Sequence, residues 1–194
     1  GLCSKQASHC REDGSYGGWA AQAVKLYGTL VRQKYDQYDL TQYDGDRAKR
    51  WGDEGCPDVL EPLAKQHLVK TITQVQSVED ARKAITNGYP ITIACNFGFR
   101  ASRDKNGFSV PEGSWAHQQF ICAYRTDIRG FLVVNSWGPN WISGPKALDQ
   151  PEGSYWITEE VLHDIFTQGC ECWAISSFDS FKPQKIDISR YTVC

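Results

Sequence analysis

The sequence predicts an α+β fold, with the helices mostly in the first half and the strands mostly in the second. Three features predict it. An apolar stripe at helical spacing follows Gly17-Gly18. From Pro90 onward, apolar residues come in short strand-like runs. Stretches rich in Asp, Gly and Pro separate these segments. Helices segregated from an antiparallel sheet define that class. The 194 residues read as one domain, 1–194, with a mainly helical lobe over about 1–88 and a mainly β lobe over about 89–194. The boundary is expected near residues 87–92, and two lobes meeting there leave a cleft, the usual place for a binding site.

Each element has its own signature. Residues 1–16 are polar and carry Gly14, so they read as a loop. Trp19, Ala20, Ala23, Val24, Tyr27, Leu30 and Val31 then fall on one helical stripe, which predicts a helix over roughly 18–34. Residues 35–56 are rich in Asp, Tyr and Gly and read as irregular. A short helix follows Pro57-Asp58, with Pro62 near its first turn. Ser77-Val78-Glu79-Asp80 is a capping-box pattern, and Asn87-Gly88 is a stop signal. Strands are predicted over 91–97, 119–124, 131–135 and 155–157. Thr158 caps a helix reading EEVLHDIF, with Ile157 and Leu162 as a hydrophobic staple. Residues 173–178 read as a last strand.

Composition excludes several classes of function. Apolar residues make up 41% and charged residues 23%, which is globular rather than disordered. No apolar run approaches the ~18–20 residues of a membrane-spanning helix. Net charge is −2 with both signs interspersed, so nucleic-acid binding through phosphates is not expected. There is no Met and the chain opens at Gly1, consistent with removal of an initiator Met or cleavage of an upstream segment. No cofactor is implied. The eight cysteines, with Cys3 and Cys10 in a polar stretch, point to disulfides and an extracellular or other oxidising compartment. Cys95 and Cys122 lie in apolar runs and read as buried free thiols. Cys170-x-Cys172, with His163 upstream and Cys194 at the end, lacks the C-x-x-C pairs of structural zinc sites, so no metal site is assigned.

One pair of residues carries chemistry. The linker Arg125–Gly130 reads as a hairpin connection between the strands 119–124 and 131–135. A hairpin brings the start of its first strand beside the end of its second, which makes His117 and Asn135 cross-strand neighbours. An Asn oxygen can accept from one imidazole N–H and fix the ring, leaving the other nitrogen to exchange a proton with a nucleophile. Trp137 would then shield that hydrogen bond from water. A structural histidine at a strand end is the competing reading of the pair alone.

The surroundings resemble the papain-like cysteine peptidases. Asn135-Ser136-Trp137-Gly138, Trp141 and Gly153-Ser154-Tyr155-Trp156-Ile157 are similar to the family's N-S-W-G-x-x-W and G-Y-W-x-I around its catalytic Asn, with 142–152 as an insertion. His117 ahead of a strand ending in Ala123-Tyr124 resembles the catalytic His segment. Gly17-Gly18-Trp19-Ala20 looks like C-G-S-C-W-A-F, the family's nucleophile helix, and Gly55-Cys56 looks like its G-C-N-G-G segment. The resemblance implies the papain-like two-lobe fold, with a helical N-terminal lobe, an antiparallel sheet or barrel C-terminal lobe, and a cleft between them. In that design a Cys at a helix N-terminus is held as thiolate by the helix dipole and an imidazolium, and donors around it bind the oxyanion.

The resemblance breaks where the chemistry is done. The position aligned to the nucleophile is Gly18, which has no side chain. Counting back to the family's oxyanion-binding Gln gives Glu12, an anion that donates nothing. The family's Gly-Gly after its Cys reads Pro57-Asp58. Losing a nucleophile costs about 10⁶ in rate, and neither Ser15 nor Cys10 matches the family's backbone path. The first expectation is a papain-like homologue that does not cut, with His117 and Asn135 a vestigial dyad supported by Trp19 and Trp137. It would bind a peptide or protein in its cleft, or join protein partners in an assembly. The second is an active endopeptidase in which an engineered Gly18 replaces the natural cysteine. The third is a scaffold or assembly subunit that does not use the cleft and offers 142–152 or 35–56 to its partners.

Overall fold

Alternating apolar residues from Ile91 onward build the largest element of the protein, a six-stranded sheet. A computed structural model describes residues 16–147 and 149–175. The strands are β1 (Lys34–Tyr35), β2 (Tyr38–Asp39), β3 (Ile72–Gln74), β4 (Ile91–Phe99), β5 (Pro111–Arg125), β6 (Gly130–Val134), β7 (Ser154–Thr158) and β8 (Glu171–Ile175). The helices are α1 (Gly17–Leu26), α2 (Gly45–Glu54), α3 (Glu61–Ala64), α4 (Val78–Thr86) and α5 (Glu159–Thr167). The sheet order is β3-β8-β4-β5-β6-β7, with β4 antiparallel to β5 and β8, and β6 antiparallel to β5 and β7. The fold is thus mixed α+β, as expected.

Two compact units are present, one running to Ile72 and the other covering Thr73–Ile175. The division falls earlier in the chain than residues 87–92, because α4 belongs with the sheet. In the second unit Ile91, Ile93, Ile121, Phe131, Val133, Tyr155 and Ile157 of the strands pack with Ala81 of α4 and with Leu162 and Ile165 of α5. Burying side chains of this size is the main favourable term in folding the unit, at ~1.5–3 kcal/mol each.

The caps work locally as the sequence suggests. Ser77 Oγ accepts from Asp80 N at 3.0 Å and donates to the Asp80 carboxylate at 2.7 Å. The acid therefore engages the hydroxyl, not the Ser77 N–H. Gly88 follows α4 at φ +80°, and Thr158 Oγ1 accepts from Val161 N at 3.3 Å at the start of α5. Ile157 and Leu162 are both fully buried, as a staple requires.

In the first unit the expected helix over 18–34 stops at Leu26. The chain turns at Gly28, which sits at φ +74°, and a Cβ there would come within 1.9 Å of the Ala64 carbonyl oxygen, so only glycine fits. Leu30 and Val31 lie beyond the helix, and Trp19 is exposed at 37%. The stretch 35–56, expected to be irregular, contains the β1–β2 ladder and α2. Asp44 caps α2 by accepting from Arg47 N at 2.9 Å, but α2 buries no residue, so it had no apolar stripe to read. The helix after Pro57-Asp58 is a 3₁₀ turn, Asp58–Leu60, running into α3. The expected loop 1–16, apart from Tyr16, and the end of the last strand at 176–178 lie outside the described residues.

Candidate functional site

β5 is longer than the sequence suggests and carries the site residues on one face. Trp115, His117, Gln119 and Ile121 alternate onto the face that becomes the core, with Gln119 and Ile121 buried. A bulge between Ile121 and Ala123 then shifts the inward position to Tyr124. Cys122 therefore faces outward and is exposed, not buried as expected. Phe120 pairs with Val134, so Asn135 falls opposite Gln119, and His117 lies one same-face step away. The expected direct 117–135 pairing is thus a diagonal one, within reach of an imidazole.

The structure joins the two side chains. His117 Nε2 and Asn135 Oδ1 are 2.8 Å apart. An amide oxygen only accepts, so Nε2 carries the proton and donates, which leaves Nδ1 outside that bond. Asn135 is buried, and its Nδ2 has no hydrogen-bond partner among the described residues. An unpaired buried donor costs ~1–3 kcal/mol, a cost more typical of functional sites than of packing.

Trp137 covers this pair. Its ring stacks on the imidazole, with centroids 4.6 Å apart and planes 27° apart. Trp137 also packs on Trp115 at 4.8 Å and Trp141 at 5.5 Å, and Trp141 packs on Tyr155 at 5.6 Å. Tyr155 is fully buried, and its hydroxyl donates to Gln119. Burial raises the Tyr155 phenol, so it remains a neutral donor. The imidazole thus rests on aromatic rings anchored in the core. Trp115 and Gln119 were not expected at the site. Their even spacing from His117 was the available signal, because residues two apart on a strand share a face.

The described residues of the 142–152 segment, expected to be an insertion, are fastened by several hydrogen bonds. Trp141 Nε1 donates to Gly153 O at 2.7 Å. The buried Arg103 guanidinium donates to Gly144 O at 2.8 Å and Ser154 O at 2.9 Å. Gly153, at φ +69°, passes so close to Gly138 O that a Cβ would come within 2.6 Å. The loop after Asn135 is thereby returned to β7, which fixes the position of Trp137.

Gly18 and Trp19 lie in the first turn of α1, in the first unit, with Trp19 edge-on to Tyr16 at 4.8 Å. Pro57 and Asp58 open the 3₁₀ turn before α3. Glu12, Cys10 and Ser15 lie outside the described residues. Cys95, Cys122, Cys170 and Cys172 are unbridged thiols, and Cys3, Cys10 and Cys194 lie outside the described residues. Among the described residues no three His, Cys, Asp or Glu side chains are grouped to hold a metal, and no helix is long and apolar enough to cross a membrane.

Comparison with solved structures finds xylellain, a cysteine protease from Xylella fastidiosa, with a TM-score of 0.56 and 15% identity over 91% of this chain and 68% of that one. The fold is similar to that of a cysteine protease. At that identity the likeness is one of fold. No family model matches the chain, and no curated protein matches it.

Proposed function

We propose that the protein is a papain-like peptidase homologue that no longer cleaves, and that binds a peptide or protein instead. The observation that carries the reading is Gly18 at the nucleophile position beside Trp19, in a chain that keeps a hydrogen-bonded His117–Asn135 pair under Trp137. The pair can hold an imidazole in one tautomer and shield it from water. With no thiol at position 18, that imidazole lacks the nucleophile of the peptidase design. Glu12 and Pro57-Asp58 support a natural departure, since each alters a separate part of the peptidase design. Eight cysteines fit an oxidising compartment such as the extracellular space.

The test combines a broad panel of peptide substrates, a thiol-directed activity probe and a peptide-binding screen on the same preparation. The reading expects no turnover and no probe labelling at the site, with peptides still retained. Turnover that disappears in His117→Ala would overturn it. Partner contacts confined to 142–152 or 35–56 would instead support a scaffold that leaves the site unused.

A second reading is an active endopeptidase whose cysteine has been exchanged for Gly18. The intact 2.8 Å His117–Asn135 bond favours it. It expects thiol-dependent cleavage from Gly18→Cys, and a silent Gly18→Cys removes it.

A further inference from the structure

On the sheet face that carries His117, β4 and β8 bring three thiols together. Ile93 pairs with Cys172 and Ala94 with Glu171, so the next step of this antiparallel ladder sets Cys95 opposite Cys170. Cys95 is itself the register partner of His117 on the other side of β4. Opposite residues leave a sheet on the same face, with Cα atoms ~4.5–5.5 Å apart, inside the range a disulfide spans. The Cys95 and Cys170 sulfurs lie within hydrogen-bonding reach of each other, and both residues are half-buried. β4 is irregular between Cys95 and Phe97. There the Phe97 N–H turns to the Cys95 sulfur and the Asn96 N–H to the Cys170 sulfur. Cys172 is fully buried on the same face.

We propose that Cys95 and Cys170 are a disulfide-forming pair, a redox modification site that fastens β8 to β4 one strand away from His117. The alternatives within the cluster fit less well. Cys95 and Cys172 are diagonal neighbours at ~7–8 Å, and Cys170 and Cys172, with Glu171 between them, are about 6.6 Å apart in an extended chain, at the upper edge of the disulfide range. The oxidant is a low-molecular-weight disulfide such as glutathione disulfide. The Cys170 thiolate, the less buried of the two, attacks one glutathione sulfur, the glutathione S–S bond breaks, and one glutathione leaves with the proton. The Cys95 thiolate then attacks the Cys170 sulfur, the Cys95–Cys170 bond forms, and the second glutathione leaves with the second proton. The two cysteines lose two electrons and two protons, and the oxidant becomes two thiols. Burial raises the Cys95 thiol and, with the charge of Cys95 nearby, pushes Cys170 up to about 12, so exchange is slow at neutral pH and faster in mild alkali. The neutral bridge suits this half-buried face better than a thiolate. The proposal does not depend on the function proposed above.

The full chain is equilibrated at mildly alkaline pH in glutathione buffers of increasing oxidation, quenched with an alkylating agent, and mapped by mass spectrometry without reduction. The proposal expects a linked pair of peptides containing Cys95 and Cys170, in the unaltered chain and in Cys172→Ser. It also expects a melting temperature raised on oxidation by about 5–10 °C, with the rise lost in Cys95→Ser and Cys170→Ser. Recovery of Cys95 and Cys170 as alkylated thiols in the most oxidising buffer would overturn it. So would a bond from either to another cysteine. The mapping uses the unaltered chain, so the result stands even if a variant fails to fold.

Discussion

The two units of the chain differ in how far chemistry and packing coincide. In Thr73–Ile175 the residues that match the peptidase pattern are also structural: Tyr155 and Trp156 are fully buried, Asn135 is buried, and Trp137 is tied through Trp141 to the core. In the unit ending at Ile72 the positions proposed above to depart from that pattern, Gly18 and Pro57-Asp58, sit at the starts of short helices, while packing rests on Ala21, Ala23, Leu60, Ala64 and Val69. A side chain that only performs chemistry can be lost without unfolding anything. One that also fills a core cannot. Under the function proposed above, the His117–Asn135–Trp137 arrangement is kept because the sheet that holds it must fold, whether or not anything is cleaved.

The largest expected effect tests that asymmetry through packing. Phe131→Ala should cost ~3–5 kcal/mol, since the ring is fully buried in the core and stands on β6, an inner strand of the sheet. Leu60→Ala, in the smaller core of the first unit, should cost ~2–5 kcal/mol. Chemical denaturation followed by Trp fluorescence measures both. Equal loss of the His117–Asn135 bond in both variants, read from the imidazole N–H resonance by NMR, would erase the distinction between the units.

Next in size is the buried carboxylate at the start of α5. Glu159 accepts from Tyr124 at 2.6 Å and from Arg129 Nε at 2.9 Å, and lies 3.5 Å from Arg82. Burial works against its charge, but these partners outweigh burial and hold its carboxyl below the ordinary 4.5. A lowered folded value means the stabilisation is present above the unfolded value and is lost as pH falls through the folded one. Glu159→Gln should cost ~1–3 kcal/mol at neutral pH and flatten the stability profile below about pH 4.5. Thermal melts across pH 3–7 check this. The smallest effects are at the caps. Ser77→Ala on α4 and Asp44→Ala on α2 should each cost ~1 kcal/mol. Only the first should lower global stability in denaturant, because α2 buries nothing and can fray alone.

Much of the second unit is legible in the sequence because period-two apolar runs, a capping Ser and a capping Thr all agree. The site is legible for a simpler reason. A short hairpin folds β6 back along β5, so a histidine within β5 and an asparagine just past β6 must come near each other. The register was off by a same-face step, because the turn closes between Arg125 and Gly130, further along the chain than a direct 117–135 pairing requires, and the bulge at Cys122 recovers only one residue of that difference. The end of α1 was missed because the apolar stripe runs on past it to Leu30 and Val31, while Gly28, at positive φ just beyond the helix, marks the stop. α2 was missed because a polar helix offers no stripe, only the Asp44 cap.

The most direct test of the central claim is a side-by-side measurement of kcat/KM on peptide substrates for the unaltered chain, Gly18→Cys and Gly18→Cys/His117→Ala. The function proposed above expects all three at background, because it takes Glu12 and Pro57-Asp58 to depart from the peptidase design along with Gly18. Cleavage by Gly18→Cys that vanishes in the double variant would contradict this, and would show that one missing sulfur is all that separates the chain from an active enzyme.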